Sequence, residues 1–208
     1  MSKILITGAS GYLGSSFIDF FHDKYKFVPF SLQKESIESI DFHNVHVVLH
    51  CAALVHQKIE YSYEKYYEIN VAYPVNLAKK AKASGVKQFV LISSIAVYGE
   101  NGKLIKEDTI CNPLTHYGKS KLEAEIELQK LEDDNFVVSI VRLPMIYGKD
   151  APGNIASLVN LVKKVPILPL GKINNKRSFI YIGNLCHLID IVIDKRISGI
   201  FLASDDKA

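Results

Sequence analysis

Short apolar runs of strand length alternate along the chain with longer amphipathic stretches of helical period. The apolar runs occupy residues 4–7, 27–30, 45–51, 88–93, 137–142 and 200–203. The main amphipathic stretches are residues 63–84, in which Pro74 is expected to kink or restart the helix, and residues 118–131. Strands that are apolar along their whole length and alternate with helices are typical of a parallel sheet covered on both faces. The pattern predicts an α/β fold with a doubly wound parallel sheet.

A glycine-rich loop joins the first predicted strand to an apolar segment that is compatible with a helix. The loop consists of Gly8, Ala9, Ser10, Gly11, Tyr12, Leu13 and Gly14. With this spacing, Gly8 permits a tight turn, Gly11 lets the backbone approach phosphates, and Gly14 allows close packing of helix and strand. The first amides of the helix then offer N–H groups to an anion. In this strand–loop–helix context, the loop predicts a binding site for the pyrophosphate of NAD or NADP.

Composition and charge exclude several other classes. Of the 208 residues, 48% are hydrophobic and 23% are charged, as in soluble globular proteins. The net charge of +3 is too small and too scattered to indicate binding to nucleic acid or to a membrane surface. The cysteines Cys51, Cys111 and Cys186 have neither disulfide nor metal-ligand spacing, and the first residues lack a secretory signal pattern. We therefore expect no metal, nucleic-acid or membrane partner, and a cytoplasmic location.

A tyrosine and a lysine, Tyr117 and Lys121, lie four residues apart and so share one face of the helix predicted there. An ammonium group near a phenol stabilises the phenolate and lowers the pKa of the phenol from its usual value of about 10. The pair is therefore a candidate acid or base near neutral pH. Ser93 and Ser94 end the fourth predicted strand, at the carboxyl edge where open α/β sheets bind ligands. A serine pair that starts a turn is the alternative interpretation.

Six motifs follow one another over nearly the whole chain. They are Thr7-Gly8-x-x-Gly11-x-x-Gly14, His50-x-Ala52-Ala53, Asn70, Ser93-Ser94-x-x-Val97-Tyr98-Gly99, Pro113-x-x-x-Tyr117-x-x-Ser120-Lys121 and Arg142-x-Pro144-x-x-Tyr147-Gly148. In this order they resemble the extended short-chain dehydrogenase/reductase family, and within it the NAD-dependent epimerase/dehydratase branch that acts on nucleotide sugars. The resemblance is strongest to UDP-glucose 4-epimerase-like and nucleotide-sugar 4-ketoreductase-like proteins.

The resemblance implies a catalytic site formed by Ser94, Tyr117 and Lys121. Tyr117 would act as acid and base on a sugar hydroxyl, and Ser94 would hydrogen-bond the reacting oxygen. Lys121 would hold the nicotinamide ribose and lower the pKa of Tyr117. Ser94, Asn154 and Arg177 would bind the substrate, with the guanidinium of Arg177 on its diphosphate. The implied contacts of the cofactor, NAD or NADP, are Gly8, Ser10, Gly11, Tyr12, Leu13, Gly14, Ser31, Cys51, Ala52, Ala53, Asn70, Ser93, Tyr117, Lys121, Pro144 and Ile146.

The resemblance also divides the chain into parts. Residues 1–148 would form a dinucleotide-binding Rossmann domain, residues 149–181 the start of a small substrate-binding lobe, and residues 182–208 a helix and a strand that return to the main sheet. The chain ends soon after that strand, so its C-terminal part is expected either to be truncated or to be that of a shortened family member. A truncated chain would bind its substrate more weakly. The way in which family members pair implies a homodimer through the helices at residues 63–84 and 118–131.

Two departures from the family concern the cofactor. An NAD-preferring protein normally has an acidic residue after the second strand, which binds the ribose 2′-OH. Ser31 lies near that position here, and Lys34 could accept a 2′-phosphate, so the choice between NAD and NADP stays open. The stretch from Ser31 to His50 is also shorter than in the family, which has another helix and strand there and an aspartate over the adenine. Asp41 could replace that aspartate or serve as a loop residue or helix cap.

Three functions are compatible with these motifs. The first is an epimerase that inverts C4 of a UDP-hexose by transient hydride transfer, and the second is a 4-ketoreductase that consumes NADH or NADPH. The third is a non-catalytic dinucleotide sensor or scaffold, which the presence of both Tyr117 and Lys121 disfavours. A dehydratase is also disfavoured, because Ile95 and Ala96 occupy the positions where that class commonly has an acidic pair.

Overall fold

The computed structural model describes residues 1–31, 34–55, 61–100, 104–164 and 177–205. Its strands are β1 (Ser2–Thr7), β2 (Tyr25–Phe30), β3 (Val45–His50), β4 (Gln88–Ser94), β5 (Val137–Leu143), β6 (Met145–Tyr147), β7 (Phe179–Tyr181) and β8 (Gly199–Leu202). Its α-helices are α1 (Tyr12–Phe21), α2 (Tyr63–Tyr67), α3 (Tyr73–Ala83), α4 (His116–Gln129), α5 (Asn154–Lys164) and α6 (Ile182–Asp194). A π-helix (Glu68–Ala72) joins α2 to α3, and short 3₁₀-helices occupy Ile37–Ser39 and Ile95–Tyr98. Over these described ranges, no helix combines the length and the apolarity needed to cross a bilayer.

The main sheet contains six parallel strands in the order β2-β1-β3-β4-β5-β8, and β6 and β7 form a separate parallel pair. All six strands predicted from the sequence are confirmed as members of the main sheet. Parallel neighbours are joined by crossover connections, which place helices on the faces of the sheet. The prediction of a doubly wound parallel sheet of the Rossmann type is therefore confirmed.

The side chains of β1 show how the core is divided between the two faces. Ile6 belongs to an apolar cluster with Phe17 of α1 and Leu185 of α6. Its neighbour Leu5 points to the opposite face and belongs to a second cluster, to which α3 and α4 contribute residues such as Leu128. Because successive strand side chains alternate between faces, each apolar strand needs a helix layer on both sides.

The helix predicted over residues 63–84 is present but divided into α2, the π-helix and α3. Pro74 lies in the first turn of α3, and the backbone stays helical from the π-helix through Ala72 and Tyr73 into α3. The regular α-helix is therefore interrupted just before Pro74, as predicted. The helix α4 begins two residues before the predicted start, because the Thr115 side chain caps it by accepting a hydrogen bond from the Gly118 N–H at 3.0 Å.

The connection after β2 is short, as the sequence predicts. The chain passes from β2 through the 3₁₀-helix Ile37–Ser39 into β3, and β3 pairs with the other side of β1. In the sheet that the described residues form, β2 is therefore the outermost strand on this side.

The small lobe is described only in part. Of residues 149–181, the structure describes α5 and β7, and β7 pairs with β6 of the preceding part. The proline-rich connection at residues 165–171 lies outside the described residues. The predicted division of the chain into domains stays a prediction.

We expect Phe17→Ala to lower the free energy of unfolding by about 3–5 kcal/mol, because it removes a ring from the middle of a packed cluster. Phe17 is fully buried and contacts the rings of Phe21, Tyr25 and Phe27. Urea unfolding measures the change. Phe20→Ala on the same helix is the matched control, because that ring is 55% exposed. Equal losses in the two variants would contradict this account of the core.

Candidate active site

The glycine loop lies between β1 and α1, at the carboxyl edge of the sheet. Gly8 has a positive φ of 68°, and its carbonyl oxygen accepts a hydrogen bond from the Gly11 N–H at 2.9 Å. A Cβ atom at Gly14 would lie 2.3 Å from that carbonyl oxygen, so only glycine fits where α1 meets the loop. Gly11 has no side chain to cap α1, and the first turn of the helix carries no acidic residue. The amides of this turn suit an anion, as the pyrophosphate of a dinucleotide requires.

Parallel register brings the ends of several strands to this same edge. Thr7 pairs with His50, and Ser94 at the end of β4 pairs with Leu143 at the end of β5. Most of the predicted cofactor contacts therefore follow or end strands at one edge. They are Gly8, Ser10, Gly11, Tyr12, Leu13, Gly14, Ser31, Cys51, Ala52, Ala53, Ser93 and Pro144, with Ile146 just beyond.

Beneath this edge, Thr7 and His50 connect β1 to β3. Thr7 Oγ1 lies 2.9 Å from Nδ1 of His50 and accepts a hydrogen bond from the Ala52 N–H at 3.3 Å. Burial, together with the charge of Lys121, lowers the pKa of His50 to about 3. The imidazole is therefore neutral at physiological pH. Through Thr7, it helps to position the segment after β3.

Tyr117 and Ser94 approach each other from α4 and β4, and their side chains are hydrogen-bonded. The approach is possible because a Cβ atom at Gly118 would lie only 2.5 Å from the Ala96 carbonyl oxygen, so α4 packs directly on the 3₁₀-helix after β4. Burial raises the pKa of Tyr117 above its ordinary value, whereas the hydrogen bond with Ser94 lowers it by stabilising the phenolate. The structure therefore brings together two of the three predicted catalytic side chains in direct contact.

Lys121 lies one turn further along α4 and is 1% exposed. Its Nζ donates a hydrogen bond to the Ile92 carbonyl oxygen of β4 at 2.5 Å. Burial lowers the pKa of Lys121 to about 8, although the nearby charge of Glu125 raises it. The sequence predicted that Lys121 lowers the pKa of Tyr117. In this structure the pKa of Tyr117 is raised instead, because burial of the phenol dominates and the ammonium group is directed at Ile92.

Glu125, a further turn along α4, forms a buried ion pair with Arg142 of β5. Arg142 Nε donates to the two carboxylate oxygens at 3.2 and 3.1 Å, and Nη2 donates to Oε2 at 2.5 Å. Ser93 Oγ also donates to Glu125, and Arg142 Nη1 donates to the Tyr98 hydroxyl at 2.6 Å. The ion pair thus ties together α4, β4, β5 and the 3₁₀-helix after β4, which include all the elements that carry the predicted catalytic residues.

Glu125 is not among the site residues predicted from the sequence. A signal was present, because Glu125 follows Lys121 by four residues and so lies on the same helix face as the two predicted catalytic residues of α4. A charged residue on a buried face needs a partner of opposite charge. The identity of that partner, Arg142, depends on how α4 packs against β5, which spacing along one helix does not reveal.

Asn70 is buried in the π-helix and clamps two segments together. Its Oδ1 accepts from the Leu54 N–H at 2.8 Å, and its Nδ2 donates to the Leu54 carbonyl oxygen at 2.9 Å and to Ser120 Oγ at 3.0 Å. Ser120 Oγ in turn donates to the Tyr117 carbonyl oxygen at 2.9 Å. The amide therefore fixes the segment after β3 against the helix that carries Tyr117, and a cofactor contact by Asn70 stays a prediction.

The predicted substrate residues are only partly placed. Ser94 lies at the carboxyl edge, Arg177 is exposed shortly before β7, and the side chain of Asn154 lies outside the described residues. The Tyr12 hydroxyl of the glycine loop donates to the Lys149 carbonyl oxygen at 3.0 Å, so the loop contacts the start of the lobe. The roles of Asn154 and Arg177 toward a diphosphate stay predictions.

Asp41 lies at the opposite end of the sheet from the glycine loop. It comes shortly before β3, whose first residue Val45 pairs with Lys3 near the amino ends of the strands. The Asp41 carboxylate accepts a hydrogen bond from the His43 N–H at 2.8 Å. Asp41 is therefore a loop residue, and the interpretation that placed it over the adenine is corrected.

A doubly wound parallel sheet with a glycine loop in its first crossover defines a dinucleotide-binding protein of the Rossmann type. Within the described ranges, no group of three or more His, Cys, Asp or Glu residues could hold a metal ion. The model of the NAD dependent epimerase/dehydratase family matches residues 4–201. The chain belongs to this family, and its cofactor is NAD or NADP.

Two kinds of relative agree with this assignment. A UDP-glucose 4-epimerase from Vibrio cholerae is 38% identical over 231 aligned positions, which cover 98% of this chain and 70% of the relative. The aligned stretch is longer than this chain of 208 residues, so the relative has extra residues within it. A solved dTDP-4-dehydrorhamnose reductase from Clostridium acetobutylicum is 30% identical, with a TM-score of 0.79, and covers 97% of this chain and 74% of its own.

A third similarity concerns the fold alone. The structure of a UDP-glucuronic acid 4-epimerase from Bacillus cereus in complex with NAD has a TM-score of 0.83 at 22% identity. The match covers 99% of this chain and 79% of that one.

We expect Glu125→Gln to lower the free energy of unfolding by about 3–5 kcal/mol, because it leaves the Arg142 guanidinium buried without its counter-charge. Chemical denaturation measures the loss. Glu127→Gln on the same helix is the control, since Glu127 pairs with Lys130 at the surface and exposed pairs contribute only about 0–1 kcal/mol. If the two variants were equally stable, the ion pair would not have the structural role assigned to it.

Proposed function

We propose that this chain is a nucleotide-sugar epimerase that inverts C4 of a UDP-hexose with bound NAD or NADP. The observation that carries the proposal is the hydrogen-bonded pair of Ser94 and Tyr117 at the carboxyl edge, one helical turn from Lys121. A phenol in this position is suited to exchange a proton with a sugar hydroxyl. The similarity to the Vibrio cholerae UDP-glucose 4-epimerase supports the substrate class.

In the proposed reaction, Tyr117 and Ser94 handle the proton of the sugar 4-OH. A nicotinamide, when bound, would supply an acceptor and later a donor for the hydride of C4. The phenolate of Tyr117 takes the hydroxyl proton as the C4–H bond breaks, which leaves a 4-keto sugar, and the Ser94 hydroxyl donates a hydrogen bond to the reacting oxygen. After the keto sugar has turned over in the site, Tyr117 returns the proton to that oxygen and C4 is inverted.

Lys121 would hold the nicotinamide ribose through its ammonium group. Its Nζ already lies near the carboxyl edge, because it bonds the carbonyl of Ile92, two residues before Ser94. With a pKa near 8, the side chain is charged at neutral pH. The amides of the glycine loop would hold the pyrophosphate, and Asn154 and Arg177 would bind the diphosphate of the substrate.

A 4-ketoreductase is the second candidate, because the Clostridium acetobutylicum dTDP-4-dehydrorhamnose reductase matches 97% of this chain. It would use the same three side chains but would consume reduced cofactor. A non-catalytic dinucleotide sensor is less well supported, since Ser94, Tyr117 and Lys121 are all present and two of them are in contact. The homodimer and the cytoplasmic location predicted from the sequence stay predictions.

The fate of the cofactor distinguishes these functions. The purified chain is incubated with UDP-glucose without added cofactor, and proton NMR follows the appearance of its C4 epimer. An epimerase inverts the sugar with no net change in cofactor, whereas a reductase oxidises NADH or NADPH only when a 4-keto sugar is supplied. Absence of both reactions would favour the sensor and contradict the proposal.

We expect Tyr117→Phe to abolish turnover and to leave dinucleotide binding close to that of the unmodified chain, because only the reacting hydroxyl is removed. Initial rates and calorimetric titration with NAD measure the two quantities. Tyr67→Phe, which changes a tyrosine that is 42% exposed, is the control and should keep full activity. A Tyr117→Phe variant that retained more than about a few per cent of the rate would exclude the assigned role.

We expect the affinity of the cofactor-free chain for NAD to fall as pH rises above about 8, because Lys121 then loses its proton and with it the charged hydrogen bond to the ribose. The dissociation constant should rise by up to about tenfold per pH unit. The neighbours His50 and Cys51 do not titrate in this range of pH, since burial lowers the pKa of His50 to about 3 and raises that of Cys51 to about 12. Calorimetry between pH 6.5 and about 9.5 measures this.

Lys121→Met is the control for this pH dependence. Its affinity for NAD should be weak and should not change over the same range, because no ammonium group is left to titrate. A pH dependence that persisted in this variant would assign the effect to another group.

A further inference from the structure

Asp205, three residues beyond the end of β8, joins that strand to three other elements. Its Oδ2 accepts a hydrogen bond from the Tyr147 hydroxyl of β6 at 2.8 Å and one from the Tyr181 N–H of β7 at 3.1 Å. Its Oδ1 accepts from Nδ2 of Asn184 in α6 at 2.9 Å, and its N–H donates to the Phe179 carbonyl oxygen at 2.9 Å. One residue thus holds both ends of β7 and the neighbouring end of β6.

The Asp205 carboxylate is charged at neutral pH and lies where a negative charge is favourable. The hydrogen bonds from Asn184, the Tyr147 hydroxyl and the Tyr181 N–H lower its pKa below the ordinary value, although burial opposes them. No acidic residue lies in the first turn of α6, and no side chain caps that helix. Because the start of a helix carries unpaired N–H groups and a partial positive charge, Asp205 supplies what the sequence of α6 lacks there.

The segment before Asp205 is fixed to the framework of the candidate active site. Ala203 is 4% exposed, and its N–H donates to the Arg142 carbonyl oxygen at 3.1 Å. The side chain of Arg142 forms the buried ion pair with Glu125 of α4. Asp205 therefore extends a firmly held strand end toward the start of the small lobe.

The elements that Asp205 holds carry two of the predicted ligand contacts. Ile146, a predicted cofactor contact, precedes Tyr147 in β6. Arg177, the predicted diphosphate ligand, comes two residues before Phe179, whose carbonyl oxygen Asp205 binds. The position of Arg177 relative to the main sheet therefore depends on how Asp205 holds β7.

The fold of this region has a separate support. Ile180 of β7 and Ile182 at the start of α6 are buried in the apolar cluster that also contains side chains of β1 and α1. The rings of Tyr147 and Tyr181, in contrast, are 39% and 41% exposed. Apolar packing thus keeps β7 on the sheet, and the bonds of Asp205 set the placement of the exposed strand ends.

We propose that Asp205 is a positioning residue for the nucleotide sugar, because it holds the β6–β7 pair where Arg177 can meet the substrate diphosphate. This inference rests on the proposed function, which assigns the diphosphate to Arg177. The bonds of Asp205 lead to β6, β7 and α6, whereas the proposed catalytic residues Ser94, Tyr117 and Lys121 lie on β4 and α4. Loss of Asp205 should therefore weaken substrate binding and leave the chemical step intact.

Steady-state rates with UDP-glucose at saturating NAD, together with calorimetric titration with UDP, test the proposal. We expect Asp205→Ala to raise the KM for UDP-glucose and the Kd for UDP about tenfold, and to change kcat by less than about twofold. Asp205→Asn should stay within about threefold of the unmodified chain, because Asn184 can turn its own amide and accept from the new NH₂ group. Asp194→Ala is the control, since Asp194 lies at the other end of α6 and pairs with Lys24. It should change neither quantity.

Three results would each overturn the proposal. The first is an Asp205→Ala variant with unchanged KM and unchanged affinity for UDP. The second is a loss in Asp205→Ala that falls on kcat alone or that Asp205→Asn does not restore. The third is an Asp205→Ala variant that urea unfolding shows to be no longer folded, because Asp205 would then support the fold rather than place the substrate residues.

The titration with UDP separates this proposal from the proposed function. If Asp205→Ala weakens the binding of UDP but no UDP-hexose is inverted by the unmodified chain, Asp205 keeps its role and the C4 epimerase fails. If the sugar is inverted and neither KM nor the affinity for UDP responds, the reverse holds. An unmodified chain that does not bind UDP would overturn both.

Discussion

The buried ion pair between Glu125 and Arg142 is the interaction on which the arrangement of the site depends. Two charges removed from water are stable only when their remaining hydrogen-bonding capacity is also satisfied. Here the hydroxyls of Ser93 and Tyr98 complete the set, and each partner comes from a different element. None of the four is fully satisfied unless α4, β4, β5 and the 3₁₀-helix are all in place. The ion pair and its two hydroxyl partners therefore fix the relative positions of the elements that carry the proposed catalytic residues.

The burial of Tyr117 and Lys121 affects the chemistry that these side chains can perform. Burial favours the neutral form of both candidate groups, since it raises the pKa of Tyr117 and lowers that of Lys121. Two neighbours oppose it: Ser94 stabilises the phenolate through a hydrogen bond, and the charge of Glu125 supports the ammonium group. The candidate acid/base groups are therefore kept out of water, and these two neighbours offset part of the shift of each group toward its neutral form.

The strands, the glycine loop and the places of Ser94 and Tyr117 could be predicted because each depends on a local pattern or on the rule that parallel strands end at one edge. The Glu125–Arg142 pair could not be predicted in this way, because it depends on which strand passes behind which helix face. The direction of the Tyr117 pKa shift was wrong for a related reason: spacing puts Lys121 on the same helix face, but its flexible side chain reaches the carbonyl of Ile92.

Among the described residues, β2 is the outermost strand of the main sheet on the side of the glycine loop. An edge strand exposes backbone groups to other chains, and Pro29, which has no N–H, and the exposed Lys26 are features that protect such an edge. On the buried side of β2, the hydroxyl of Tyr25 donates a hydrogen bond to Asp190 of α6 at 2.7 Å and anchors β2 to this helix. The sheet can therefore end at β2 without a further strand to support it.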